Sequence, residues 1–450
     1  MESLEQNESS DTLQKPGDVQ VSSIFIYSSI ASKPYDISSI WENISIFEDM
    51  SKSYIFGQIT IEDTQNLIQE IPILLNDRIE IQYKTSSAFE FEKIIGYIID
   101  IPTRTGTSSG EGSELYVLEF ITPEFVRSKS LKVRKSYQNT FISDMVGDIY
   151  NQFLLPATGK DLSIAPTLFP DSKVVPNLSP IQSINWLSKW AQSPDYRFGA
   201  SYMFFENRSG YHFTPLESLV DENKNPTADS YTVSLSNVDE IRSDGGRAFV
   251  VIDKYKPKVG NFLNMLESGT FASTFVYRDP IMRQTYKNIF NYARNSQEVE
   301  HINGDSPIHN DERLSILADS HYIIGTHHSN AFGENIAASR TKDTILVRNS
   351  QLKSFESMSI DISIPGNSQR TIGEVIFLNL PSIGMASLED SLGERDKYIS
   401  GRYLIHNLRH EISRKATSQP VFRTHMRVLR DSVLEKLPSR IVYDKTTIPT

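Results

Sequence analysis

At 450 residues the chain has room for about three domains of roughly 150 residues each, and 23 Phe and 20 Tyr supply large core groups although the apolar fraction is only 38%. A formal net charge of −11, from 56 Asp plus Glu against 45 Lys plus Arg, argues against general binding of duplex nucleic acid through phosphate neutralisation. The absence of Cys excludes disulfides and thiolate chemistry and removes the softest metal ligands.

The first residues, "MESLEQNESSDTLQKPGD", are polar and acidic, without the basic and apolar stretches of a signal peptide. No apolar run approaches the roughly 18 to 20 residues of a membrane helix, so the expectation is a soluble protein made in the cytoplasm, without membrane insertion. Residues 53–83, "SYIFGQITIEDTQNLIQEIPILLNDRIEIQY", followed by "FEKIIGYIIDIPTR" (91–104), a Gly/Ser loop and "ELYVLEFITPE" (114–124), read as strands. Ile55, Ile59 and Ile61 are assigned to the core, and Tyr54 and Phe56 to partner contacts.

The period then changes. In "NTFISDMVGDIYNQFL" (139–154), Phe141, Met145, Ile149 and Phe153 recur every four residues with Ile142 and Val146 beside them, which predicts an amphipathic helix. "SPIQSINWLSKWAQ" (179–192) predicts a second helix, with Ser179 as N-cap, Pro180 at the first helical position, Gln182 completing a capping box, and Ile181, Ile184, Leu187 and Trp190 as the apolar stripe. Residues 266–350 are heterogeneous: an aromatic-rich stretch, a polar loop, and a short helix expected at "ERLSILADSHYII" (312–324). This segment reads as an elaboration for contacts.

In "ESMSIDISIPGNSQRTIGEVIFLNLPS" (356–382), Met358, Ile360, Ile362 and Ile364 alternate with polar residues until Pro365 and Gly366 stop the run, and Val375 to Leu380 is nearly continuously apolar. The stretch reads as a hairpin or a pair of adjacent strands. Two more strands follow at 401–412 and 422–432; in the latter Phe422, Met426 and Val428 share one face and Arg423, His425 and Arg427 the other, with Arg423 and Arg427 as candidate contacts. The tail, "LPSRIVYDKTTIPT", is expected to extend over a neighbour.

The two β blocks run in comparable order: "ILLNDRIEIQY" parallels "RTIGEVIFLNL", "KIIGYIIDIPTR" parallels "YISGRYLIHNLRH", and "LYVLEFITPE" parallels "RTHMRVLRDS". Two readings stand: a duplicated β-barrel, or two antiparallel sheets that merely look alike. The class is mixed α+β, mainly antiparallel β.

Chemical signatures are sparse. His406 and His410 lie four apart on an expected strand, about 13 Å at ~3.3 Å per residue, too far for one metal. His327 and His328 are adjacent and read as surface residues. There is no G-x-S-x-G elbow or G-x-x-x-x-G-K-[ST] loop, and no catalytic residue, cofactor or metal is assigned. Two carboxylates brought together by folding leave no local trace, which keeps a glycosidase open.

The block "MSIDISIPGNSQRTIGEVIFLNLPS…DKYISGRYLIHNLRHEIS…FRTHMRVLRDSV" resembles the second barrel of central baseplate hub proteins of T-even-like contractile-tailed phages, which are related to the base of the type VI secretion valine-glycine repeat spike proteins. "YIFGQITIEDTQNLIQEIPILLNDRIEIQY" with "IIGYIID" resembles the matching first barrel, and "SPIQSINWLSKWA" the helix between them; the resemblance spans roughly residues 20 to 435. It implies two similar β-barrel tube domains (18–125, and 233–265 plus 351–433), an α/β domain at 126–232, an inserted α/β segment at 266–350, a flexible N-terminus at 1–17 and a tail at 434–450. It also implies a homotrimer in the tail baseplate of the virion, assembled in the host cytoplasm, whose barrels form a pseudo-six-fold ring. The implied partners are a spike or tail-lysozyme protein, a tail tube or tube-initiator protein and a tape-measure protein, with DNA passing through without specific binding. The needle and any lysozyme activity would sit on a partner. The alternative is a peptidoglycan-cleaving or cell-wall-binding tail protein.

Overall fold

The computed structural model describes residues 17–64, 73–86, 88, 90–106, 114–232, 242–244, 247–252, 254–259, 262–280, 283–292, 299–304, 321–326, 336–356, 358–382, 395–414 and 419–435. It opens with seven strands: β1 (Val19–Tyr27), β2 (Tyr35–Asp36), β3 (Trp41–Asp49), β4 (Phe56–Asp63), β5 (Arg78–Thr85), β6 (Glu92–Gly106) and β7 (Glu114–Ile121). An α/β region follows, of α1 (Pro123–Ser130), β8 (Ser136–Phe141), α2 (Ile142–Ile149), β9 (Leu162–Ile164), β10 (Pro170–Val174), α3 (Pro180–Leu187), β11 (Tyr202–Asn207), β12 (Gly210–Pro215) and α4 (Leu216–Val220). Next come β13 (Thr227–Thr232), β14 (Arg242–Asp244), β15 (Arg247–Val251) and β16 (Lys254–Val259). Then α5 (Phe262–Glu267), β17 (Ala272–Asp279), β18 (Gln284–Asn291), β19 (Tyr322–Thr326) and α6 (Ile336–Phe355) lead to β20 (Met358–Pro365), β21 (Val375–Asn379), β22 (Gly401–Ser413) and β23 (Val421–Arg430). No helix among the described residues is long and apolar enough to cross a membrane.

Among the described residues, fifteen strands form one sheet. In the N-terminal half the antiparallel order is β3-β4-β7-β6-β5, and in the C-terminal half β16-β20-β23-β22-β21. The two orders are the same connectivity, strand for strand. The agreement extends to single residues. Asn76 and Gly373 both have left-handed backbone (φ 76° and 87°) and both donate N–H to the bulged strand, to the carbonyls of Ile98 and Ile405. The next residues, Asp77 and Glu374, each accept on a side-chain oxygen from the N–H three residues earlier, of Leu74 and Thr371. The β-bulge after Ile98 recurs after Ile405.

The halves are joined by β3, which pairs with β4 on one edge and with Asn407–Ser413 of β22 on the other. Two expectations change accordingly. The stretch 356–382 is not a hairpin: β20 and β21 lie in one sheet with β22 and β23 between them, because each strand takes a partner that arrives later in the chain. The halves are also not separate sheets, and no barrel closes among the described strands.

Each half has its own core, one around Ile44, Ile59, Ile61 and Leu118, the other around Ile360, Ile362, Leu408 and Met426. In the first, the Phe120 ring lies over Gly57, where an added Cβ would meet it at 2.1 Å, so the absent side chain makes room for the ring. The α/β region has a third core of Met145, Ile149, Ile184, Tyr211 and Phe213. Its helix α2 starts later than the apolar spacing predicts: Phe141 ends β8, paired with Pro170, and is 40% exposed. The capping box at Ser179 and Gln182 is present, but α3 ends at Leu187, short of Trp190. Tyr322, Ile323 and Ile324, assigned above to the end of a helix, lie in β19, a strand parallel to β17. Residues 312–320 of that expected helix, His327, His328, most of the N-terminus and most of the tail lie outside the described residues.

Candidate functional site

Strand alternation turns the apolar residues of the sheet into the cores and leaves the intervening side chains on a second, polar face. Equivalent rungs cross this face in both halves: Ser45, Gln58, Glu119 and Asp100 in one, Lys256, Asp361, Arg427 and Asn407 in the other. Gln58 donates to Glu119 (2.8 Å), and at the equivalent place the Arg427 guanidinium grips Asp361 with two hydrogen bonds (2.7 and 3.2 Å). Arg427 is held above its ordinary range by that carboxylate. Beside it Glu411 takes Arg409 (2.8 Å), His425 (3.0 Å) and the Asn43 amide (3.1 Å).

Where the halves meet, the polar face forms a groove of about 1310 Å³, lined among others by Phe47, Phe56, Arg409, Arg423 and Arg427. Of the residues assigned from sequence to contacts, Phe56, Arg423 and Arg427 line it; Phe56 packs on Phe47 with ring centroids 5.7 Å apart. Tyr54 turns instead against Phe125 of α1, at 4.3 Å. Of those assigned to the core, Ile59, Ile61, Ile360, Ile362, Ile364, Phe422, Met426 and Val428 are buried, while Ile55 and Met358 are half-buried near strand ends.

Chemically the face holds ion pairs. Among the described residues no three His, Asp or Glu gather to hold a metal. His410 is buried against Thr424 and the Arg370 carbonyl, with its pKa lowered to about 4 by burial, so it is neutral at pH 7; His406 instead contacts Asn407 (2.6 Å).

The polar cluster that sequence reasoning missed ties the α/β region to both halves. Glu206 of β11, fully buried, accepts from the N–H of Ile55 (3.1 Å), from Thr122 (2.7 Å) and from Tyr211 (2.9 Å), and pairs with Lys160, whose ammonium is also 3.8 Å from Glu124. Glu48 of β3 accepts from Thr371 Oγ1 (2.6 Å) and the N–H of Ile372 (3.1 Å). Burial raises Glu48, Glu124 and Glu217 to about 7 each. Apart from Tyr211, five positions on, the partners of Glu206, Glu124 and Glu48 come from residues tens to hundreds of positions away, so no local spacing marks them. Glu206 and Glu48 thereby join elements together.

No protein-family model matches the chain, and neither does any curated protein. Among solved structures, the chain is similar to a tail protein from Neisseria meningitidis MC58 (11% identity, TM-score 0.53, covering 91% of this chain and 96% of that one). It is also similar to the 43 kDa tail protein of prophage MuSo2 from Shewanella oneidensis (11% identity, TM-score 0.50, covering 91% and 98%). At such identity the likeness is one of fold, over nearly the whole length of both partners. Phage tail proteins are also the class to which the sequence resemblance pointed.

Proposed function

We propose that this chain is the structural, non-enzymatic hub of a contractile phage tail baseplate. In this reading residues 18–125, and 233–265 with 351–433, are two equivalent tube domains, and three copies set six of them in a pseudo-six-fold ring. The ring adapts a three-fold spike to a six-fold tail tube and forms part of the DNA channel. The observation that carries the reading is the repeated strand order β3-β4-β7-β6-β5 and β16-β20-β23-β22-β21, down to the same bulge and the same left-handed turn residue. A chain that duplicates its wall unit lets three copies present six like surfaces, which a closed ring requires. The tail-protein fold supports the same reading. The partners are then a spike or tail-lysozyme protein on one side and a tube or tube-initiator protein on the other, with a tape-measure protein and DNA in transit. The net charge of −11, with Arg409 and Arg427 neutralised by carboxylates of their own face, suits passage without binding.

Light scattering behind size exclusion, across a range of concentrations, tests this. A species near three times 51.1 kDa, imaged as a ring with six similar lobes, is expected. A strict monomer that clears labelled cell walls would overturn the hub in favour of a peptidoglycan-cleaving enzyme.

A further inference from the structure

The joint between the halves occurs once within the chain, yet the duplication supplies its parts twice. In the formed joint, Asn407–Ser413 of β22 has β23 on one edge and β3 on the other, over seven antiparallel rungs. The equivalent of that segment is the end of β6, Asp100–Gly106, which has β7 on one edge and, among the described residues, no strand on the other. The equivalent of β3 is β16, which has β20 on one edge and, among the described residues, an open second edge. Both open segments are exposed at Pro102, Thr103, Arg104 and Thr105 and at Lys256, Pro257 and Lys258. They end opposite sides of a run of eight strands, β16-β20-β23-β22-β3-β4-β7-β6, and do not pair with each other within the chain.

We infer that the open edge of β16 receives residues 103–106 of β6, which follow a second bulge between Asp100 and Thr103 that β22 lacks, from a second copy of this chain, in the register by which β3 receives β22. The inference rests on the duplication reading above and names the seam that reading requires. The joint is head-to-tail, so each added copy leaves the same two edges free until the last closes on the first.

The register follows from the formed joint, where Glu411 faces Ser45 and Arg409 faces Phe47. Matching β7 to β23 rung by rung puts Thr105 in the place of Glu411 and Thr103 in that of Arg409. Matching β4 to β20 puts Lys256 in the place of Ser45 and Lys258 in that of Phe47. Across the seam Thr105 therefore faces Lys256, Thr103 faces Lys258, and Arg104 faces Pro257. A slip of one residue either way would set Arg104 opposite a lysine, a like-charge contact that its ion pair with Glu114 (2.8 Å) reduces without making it favourable. Lysine and proline on an exposed edge also discourage unspecific strand addition, which restricts the partner to one of matching pattern.

Because the native chain has no Cys, engineered pairs report on the seam alone. Two single variants, Thr105→Cys and Lys256→Cys, are each checked for a native circular dichroism spectrum, mixed, and oxidised mildly. A covalent two-chain species is expected in the mixture and in neither variant alone, and Arg104→Cys mixed with Lys256→Cys, one register off, should give at least tenfold less. The double variant Thr105→Cys/Lys256→Cys should give a three-chain ladder. Failure of the mixture to cross-link while light scattering still finds the three-chain mass would overturn the seam and leave the hub standing. A double variant that cross-links only within one chain would also overturn the seam, with the sheet closing on itself. A chain that is monomeric at every concentration would overturn both.

Discussion

Glu48 shows how a single residue couples the fold to pH. It is buried at the junction of β3 with the lead-in to β21, and burial outweighs the hydrogen bonds from Thr371 and Ile372, raising its carboxyl from 4.5 to about 7. An acid whose folded pKa lies above its unfolded value contributes stability that is fully present below about 4.5 and lost as pH rises through about 7. The shift corresponds to on the order of 3 kcal/mol between the two ends of that window. Glu124 and Glu217 are raised in the same direction and add to this loss, while His410, lowered to about 4, works against it over the lower part of the range. Glu48→Gln keeps an acceptor for Thr371 and Ile372 without the charge. Thermal melts at pH 5 and pH 8 should show the variant losing less of its melting temperature between them than the native chain loses; equal losses would remove Glu48 from the account. None of this is visible in the sequence, where Glu48 stands in "SIFEDM" like a surface residue at a strand end.

At the scale of elements, the strands that alternate cleanly were legible and the ones that do not were missed. Met358 to Ile364 and Phe422 to Val428 each show period two, and the structure forms β20 and β23 there with eight antiparallel rungs between them. Neither β1 nor β3 was assigned, although β3 joins the halves. Its "WENISIFED" does not alternate cleanly, because the polar Ser45 and Glu48 are buried along with Ile44 and Ile46. Ile360 of β20 is 2% exposed and faces Val428 and Pro257, so Ile360→Asp places an unpaired charge in the core. The cost, several kcal/mol, is about that of a domain's whole stability. Loss of cooperative melting, followed by circular dichroism, is the expected outcome; an unchanged melt would mean that this face of β20 is not a core face.

For the whole molecule, the continuous sheet predicts a graded pattern of amide exchange. The ladder between Asn43–Asp49 and Asn407–Ser413 lies between two cores and belongs to the folded chain. Its amides should exchange slowly at any protein concentration. The open edge of β16 has no such partner among the described residues, so the outward amides of Lys254–Val259 should exchange quickly in dilute protein and slow as copies assemble. Mass spectrometry of exchange at two concentrations distinguishes these segments. Equal protection of both at every concentration would mean that β16 is covered within the chain.

What the sequence by itself determined is local: the period-two faces of β20 and β23, the capping box of α3, and the parallel between the two β blocks, each set by steric and hydrogen-bonding rules that act over a few residues. The resemblance read from these motifs also pointed to the fold that the chain shares with solved tail proteins at only 11% identity. Which strand lies beside which was decided only in three dimensions. Strands 356–382 read as neighbours because they are consecutive, yet two later strands separate them, and β3 finds β22 more than 350 residues away. Pairing is settled by long-range burial of matching faces, and so are the partners of Glu48 and Glu206, since a buried carboxylate is stabilised by whichever donors the completed fold brings to it.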